Sequence, residues 1–307
     1  MTGTRIQALT HAGLLTDDVE RTALLWRRLF GLARVGRRPT WHAPEEGVLS
    51  TFLALPGGVL EPLQPIAESP YLDEYRQGRR AYHVSVQVER IHETVAELRA
   101  AGLWVQLRPP GEILTVHRGW VHQESTGGLP IELIDSSEMG AFVTQEELDA
   151  FVGGAPAGGA AAGATSAAVA EPAPIRQWSS VGHVVRDLEP VCQVFSDILG
   201  FAPEWDKPRE VGEEGVLMQR FRLAAGPAVE IMEPMREGTV LASRLDAAGP
   251  GIAYVGLEAH DLDAVVSRLS DQEAWLTAAP AGDSLPRRAW VHARSTDGLP
   301  VMLTEPE

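Results

Sequence analysis

The sequence predicts an α+β protein in which four βαβββ modules pair into two cup-shaped mixed-sheet domains. Three observations lead there. The chain of 307 residues is long enough for two domains of ordinary size, and its two halves are copies of each other. "VERTALLWRRLFGL" (19–32) answers "LEPVCQVFSDILGF" (188–201), and "RGWVHQESTGGLPIELID" (118–135) answers "RAWVHARSTDGLPVMLTE" (288–305). Between the halves, residues 151–174 are almost entirely Gly, Ala, Pro and small polar residues. Such a composition buries too little apolar surface to offset its ordering entropy, so a mobile linker is expected there. The expected domains are therefore 1–150 and 175–307. Finally, each half repeats internally.

Within the first half a short apolar strand, 8–15 and then 81–88, leads into an amphipathic helix, 18–31 and then 89–102. Strand-like segments follow at 48–55 and 59–63 in one module, and at 119–123 and 130–134 in the next. A single βαβββ unit leaves a sheet edge open and one face bare. Pairing two units into a curved sheet covers both.

Composition narrows the function classes. A formal charge of −16 repels a phosphate backbone, which excludes nucleic acid as a partner class. One cysteine, Cys192, forms no intrachain disulfide and suits a reducing compartment. The N-terminal residues lack a signal-peptide pattern and no run is apolar for the roughly 18 residues of a membrane span. A cytoplasmic location without membrane association is expected.

Four side chains stand out because they fall at equivalent places in paired modules. His11 and His83 lie in the strands that lead into helices; Glu61 and Glu132 lie in the last strands of their modules. A lone strand histidine is usually structural, and a carboxylate in a terminal strand usually faces water. Glu132, however, sits among the apolar residues of "GLPIELID" and is costly to bury unpaired. Two imidazoles and two carboxylates at the centre of one cup form a plausible set for one divalent first-row ion per chain: Mn, Fe, Co, Ni or Zn.

The stretches "THAGLLTDDVERTALLWRRLFGL", "VLEPLQP", "YHVSVQV" and "STGGLPIELI" resemble the vicinal oxygen chelate superfamily, which includes glyoxalase I, extradiol dioxygenases and methylmalonyl-CoA epimerase. The resemblance covers residues 6–135 and 175–306. In motif style the chain is most similar to methylmalonyl-CoA epimerase, whose metal ligands map onto His11, Glu61, His83 and Glu132. Glu61 is a variation, because that position is often Gln there. The same resemblance places a proton-transfer carboxylate at Glu45 in "PEEGVL", with Glu46 beside it. The epimerase is normally half this length. The four-module layout looks more like the cyclitol epimerases that act on 2-epi-5-epi-valiolone.

Aligning the halves places Ser180 at His11, Glu230 at Glu61, Tyr254 at His83 and Met302 at Glu132. Both halves keep 50 residues between the first two positions, from 11 to 61 and from 180 to 230. His183, three positions after Ser180, points to the opposite strand face and does not replace the missing ligand. A serine, one carboxylate, a tyrosine and a thioether suit a hard divalent ion poorly. The second half is thus expected to be metal-free, serving as scaffold, dimer surface or active-site wall.

The remaining histidines and tryptophans fit structural roles. His122 and His292 repeat between halves, as do Trp120 and Trp290. His122 could also contact substrate. His92 and His260 are expected at exposed helix starts, His42 and His117 in loops within reach of the cup mouth, and Trp26 and Trp104 in the core.

A metal ion beside a carboxylate suits proton abstraction next to a carbonyl, since the charge that develops on the enolate oxygen is stabilised. The leading expectation is a metal-dependent epimerase for a small keto substrate. The resemblance favours a keto-cyclitol such as 2-epi-5-epi-valiolone over a methylmalonyl-CoA-like thioester. Glu45 would remove the α-proton and Glu132 would return one on the opposite face. Alternatives are an extradiol-type dioxygenase, a glyoxalase I-like lyase and a metal-independent drug-binding protein. Dioxygenases of this architecture usually hold their metal in the second half, whereas this chain keeps its ligands in the first. A homodimer is the expected assembly.

Overall fold

Asp18 and Gly31 bracket the first helix, and the strand before it carries the first histidine. The Asp18 carboxylate accepts hydrogen bonds of 3.0 Å from the backbone N–H groups of Glu20 and Arg21, which satisfies donors the helix leaves free. Gly31 adopts φ 74° and its N–H closes on the Arg27 carbonyl, a left-handed ending that glycine adopts without strain. The computed structural model that shows these contacts describes residues 6–35, 40–44, 46–110, 116–135, 174–212, 214–279 and 287–306. Apart from Pro174, the expected linker lies outside the described residues, as does Glu45.

The first half runs β1 (Ile6–Leu15), α1 (Val19–Phe30), β2 (Arg34–Val35), β3 (Trp41–Ala43), β4 (Val48–Ser50), β5 (Phe52–Leu55), β6 (Gly58–Pro65), α2 (Pro70–Arg76), β7 (Ala81–Val88), α3 (Ile91–Ala100), β8 (Val105–Arg108), β9 (Arg118–Val121) and β10 (Ile131–Asp135). These strands form one sheet in the order β2-β5-β6-β1-β7-β10-β9-β8, with β3 and β4 pairing at its side. Antiparallel pairing of β1 with β7 joins the two modules. Each module also carries a parallel pair, β1 with β6 and β7 with β10.

The second half repeats the plan: β11 (Ile175–Val184), α4 (Leu188–Gln193), β12 (Ala202–Pro203), β13 (Arg209–Val211), β14 (Val216–Arg222), β15 (Ala228–Pro234), α5 (Val240–Ala248), β16 (Gly251–Ala259), α6 (Leu262–Asp271), β17 (Leu276–Ala279), β18 (Arg288–Val291) and β19 (Val301–Thr304). Its sheet order is β12-β14-β15-β11-β16-β19-β18-β17. The fold is α+β with two mixed sheets, as the sequence predicts. Two differences are instructive. α4 continues as a π-helical turn over 194–198 where α1 stays regular. The single strand expected at 48–55 breaks at Thr51, which lies opposite Pro62; proline has no N–H to give the ladder. The second half has Ile231 there, and β14 runs unbroken.

The two halves interlock. Trp178 N–H donates to the Pro56 carbonyl at 2.8 Å, and Leu9 N–H donates to the Ala225 carbonyl at 3.2 Å. Each half therefore lends the turn before the last strand of its first module, β6 or β15, to the first strand of the other. One continuous apolar cluster includes Trp26 and Phe30 of the first half and Phe195 and Phe221 of the second. At a further contact Asp297 accepts hydrogen bonds of 2.8 Å from Thr16 Oγ1 and Arg21 Nη2.

Candidate metal centre

Four adjacent strands, β6-β1-β7-β10, carry Glu61, His11, His83 and Glu132 respectively. The register sets Glu61 opposite Gly13, and both His11 and Glu132 opposite Ser85. All four side chains are buried, between 2% and 7% exposed. His11 Nε2 lies 3.2 Å from His83 Nε2, 3.3 Å from Glu61 Oε2 and 3.2 Å from Glu132 Oε2. His83 Nε2 stands 3.7 Å from each of the same two carboxylate oxygens.

These separations test whether an ion fits. Ligand atoms at about 2.1 Å from a common ion lie roughly 3.0 Å apart at octahedral angles and roughly 3.4 Å apart at tetrahedral ones. The three separations from His11, 3.2–3.3 Å, fall within that range and the two from His83, 3.7 Å, lie just above it; the donors are the N/O set that divalent first-row ions take. His11, His83 and Glu132 each offer a ligand atom within 4.8 Å of the others. Glu61 is steadied by Ser50, whose hydroxyl donates to Oε1 at 2.7 Å and leaves Oε2 turned to the histidines. The residues fit a divalent ion.

A glycine makes room for one ligand. A Cβ built on Gly13 would lie 2.3 Å from His83 Cε1, so the imidazole rests against bare backbone. Trp120 closes the other side of that ring, edge-on with centroids 5.0 Å apart.

Without an ion the four groups hold each other. Burial opposes charge on His11, but hydrogen bonds to Glu132 and Glu61 outweigh it and raise the imidazole to about 9. Burial lowers His83 to about 4, aided by the neighbouring His11 charge. Burial alone would raise Glu132; its hydrogen bond to His11 and the charges of His11, His83 and Arg118 bring it down to about 2. The pair of histidines thus carries one proton near neutrality, and that proton bridges the carboxylates.

Beside this centre sits a third buried carboxylate. Glu46 Oε1 accepts from Arg118 Nη2 at 2.7 Å and Arg108 Nη1 at 2.9 Å, and Oε2 accepts from the Tyr71 hydroxyl at 2.8 Å. Arg118 also places Nη1 3.6 Å from Glu132 Oε1, so one guanidinium spans both acids. Glu46, Tyr71 and Arg118 line the same cavity as the four histidine and glutamate ligands, with Trp41, Phe52 and Trp120 among its apolar walls.

The structure brings the side chains of His11, Glu61, His83 and Glu132 together. It leaves Glu45 outside the described residues and puts the neighbouring Glu46 into the cup. Arg118, Tyr71 and Ser50 join the site beyond the residues that sequence reasoning reaches; the recurrence of Arg118 as Arg288 in the second half is the signal the sequence offers. Trp104 is corrected: it is 57% exposed and stacks on His122 at 3.7 Å, because β8 is the last strand of the sheet order. Trp120 has a role beyond packing as cup wall. His122 caps a short turn by accepting from Glu124 N–H, while His42 and His117 do not line the cup. His183 faces away from Ser180: its Nε2–H donates to the Thr126 carbonyl of the other half at 3.2 Å, and burial lowers it to about 4.

With the fold and centre in view, the family is clear. The model of the Glyoxalase/Bleomycin resistance protein/Dioxygenase superfamily matches residues 10–112 and again 180–287, and the chain belongs to that superfamily. Superfamily members generally bind a divalent metal, and many are enzymes. No curated protein matches the sequence. Among solved structures, a variant of 4-hydroxymandelate synthase from Streptomyces coelicolor is 14% identical, with 98% of this chain and 93% of that one covered at TM-score 0.69. That likeness shows the two-half fold. Methylmalonyl-CoA epimerase from Mycobacterium tuberculosis is 26% identical over 44% of this chain and 90% of its own, at TM-score 0.40. Streptomyces coelicolor methylmalonyl-CoA epimerase, in complex with 2-nitronate-propionyl-CoA, is 18% identical over 42% and 95%, at TM-score 0.39. No helix among the described residues is long and apolar enough to cross a membrane.

Two outcomes are expected. Gly13→Ala drives a methyl group into the His83 ring and lowers metal affinity by about 10- to 100-fold, the effect of disturbing a ligand's support, with far-UV circular dichroism unchanged. Unchanged affinity in a metal titration would remove the proposed role of Gly13. In the metal-free chain the raised His11 contributes stability that is complete below pH 6.5 and lost as pH rises through about 9. The lowered His83 and Glu132 produce an acid limb, with stability falling from pH 6.5 through about 4 and on towards 2. Urea midpoints across pH check both limbs, and His11→Gln should flatten the alkaline one.

Proposed function

We propose that the chain is a metal-dependent epimerase acting at a carbon next to a carbonyl. The observation that carries this reading is the juxtaposition of a four-donor metal set with the buried, oriented carboxylate of Glu46 in one largely apolar cavity. A divalent ion bound by His11, Glu61, His83 and Glu132 would supply Lewis-acid stabilisation of charge on a substrate oxygen. Everything else falls to the protein.

Glu46, rather than the Glu45 favoured by the sequence, takes the role of base. Two guanidinium groups and a phenol fix its plane, and among the described residues Oε2 accepts from Tyr71 alone, which leaves it a lone pair for the α-proton. Arg118 holds Glu46 and Glu132 in fixed relation; in this reading Glu132 delivers to the opposite face a proton that it first takes up from solvent, and Glu46 afterwards releases the abstracted one to solvent. Trp41, Phe52 and Trp120 exclude bulk water, which strengthens the charge interactions inside the cup. A small keto compound suits the space. A keto-cyclitol remains the first substrate class to test, with acyl thioesters second.

A second reading has one observation behind it. His11, His83 and Glu132 form a two-histidine, one-carboxylate triad, while Glu61 is engaged by Ser50. Such a triad is the site of non-haem Fe(II) oxygenases. Oxygen uptake by the anaerobically iron-loaded chain with a catechol would favour that reading over epimerisation.

The metal-loaded chain is expected to exchange the α-proton of a keto-cyclitol or acyl thioester in deuterated water, followed by NMR. Glu46→Gln should reduce the exchange rate by at least about 100-fold with the metal retained. Exchange that survives in Glu46→Gln would remove Glu46 as base, and no exchange with either substrate class would remove the epimerase reading.

A further inference from the structure

The second half keeps the cup but changes its floor. Ser180, Glu230, Tyr254 and Met302 stand where the first half has its ligands, and all four line one cavity. The Tyr254 hydroxyl donates to Glu230 Oε2 at 2.5 Å, and its ring rests on Gly182 as His83 rests on Gly13. Arg220 Nε lies 3.3 Å from Glu230 Oε1. Arg288 lies 3.1 Å from Glu214, repeating the pairing of Arg118 with Glu46. One carboxylate already engaged by a phenol and a guanidinium, beside a thioether and a hydroxyl, is no metal site.

The charges facing this cavity balance. Arg220, Arg222 and Arg288 stand against Glu214, Glu230 and Glu258. Neither an anion nor a cation gains from such a field. Alternating guanidinium and carboxylate groups instead present donors and acceptors side by side, which matches hydroxyls, since each of those both donates and accepts. The Ser180 and Ser179 hydroxyls are buried and line the cavity, and neither has a hydrogen-bond partner among the described residues. A buried unsatisfied hydroxyl is costly, and a ligand that reaches it removes the cost. Trp178, Met218 and Met302 add apolar surface for the carbon face of a small ring.

We propose that the second cup is a metal-independent binding site for a neutral polyol of about ring size. The site is separate from the metal centre and does not depend on the epimerase reading.

The test uses the full chain after treatment with chelator, labelled with 13C at the methionine methyl groups. Six methionines give six signals, and Met218 and Met302 report on the second cup; replacing each by Leu assigns them. Titration with myo-inositol or D-glucose should shift these two signals saturably, while inorganic phosphate and acetate should not. Ser180→Val should weaken the response by roughly tenfold, the equivalent of one lost hydrogen bond, with the other methionine signals in place. Absence of saturable shifts with both polyols in the unmodified chain overturns the proposal, whatever the stability of the variant. So does a stronger response to phosphate. Because no metal is present, failure here leaves the reading of the first cup standing, and the reverse also holds.

Discussion

The mutual approach of two imidazoles and two carboxylates inside a closed cup is the constraint around which the first half is organised. Buried separately, each carboxylate would carry a desolvation cost of several kcal/mol. Together they share one proton or one ion, and either compensates them. This requires four strands to be neighbours in the order β6-β1-β7-β10, which the crossover of each βαβββ module provides. It also requires clearance, given by the missing side chain at Gly13, and a guanidinium that links the centre to Glu46.

The second half shows what remains when that constraint is relaxed. Glycine still makes room for a ring, an arginine still pairs with a glutamate, and one carboxylate is still present. Three of the four candidate donors for a hard ion are replaced, by Ser180, Tyr254 and Met302. The scaffold itself is kept because the first half leans on it. Gly226, with φ 92°, brings its backbone so close to the Leu9 carbonyl that a Cβ would lie 2.2 Å from it, a position only glycine fills without strain. Trp178 packs in the same way against Gly58. His183 belongs to this interlock, which accounts for a buried histidine in the half where three of the four candidate ligands are replaced.

Much of this was legible in the sequence, for identifiable reasons. The duplication and the alternation of apolar residues give modules, and modules give topology. Strand parity correctly turns His183 away from the cup. The four candidate ligands follow from equivalence between modules, a pattern already visible in the sequence. What the sequence hid depends on side-chain reach across strands distant in the chain. Glu45 and Glu46 are adjacent, and only the packing of Tyr71 and Arg118 distinguishes the one inside the cup. Trp104 reads as core from its place after a helix, yet it sits at the entry to the last strand of the sheet order, where the His122 ring covers one face and the rest stays exposed. The break at Thr51 reflects a proline on the neighbouring strand, a pairing invisible until register is known.

The central claim is one metal site per chain, built from the first half alone. Cobalt(II) titration of the full chain, read by the visible absorption of the bound ion and by equilibrium dialysis, tests it most directly. We expect saturation at one ion per chain, abolished by His83→Ala and retained in Tyr254→Phe. Two ions per chain, or binding that survives His83→Ala with unchanged affinity, would contradict the account.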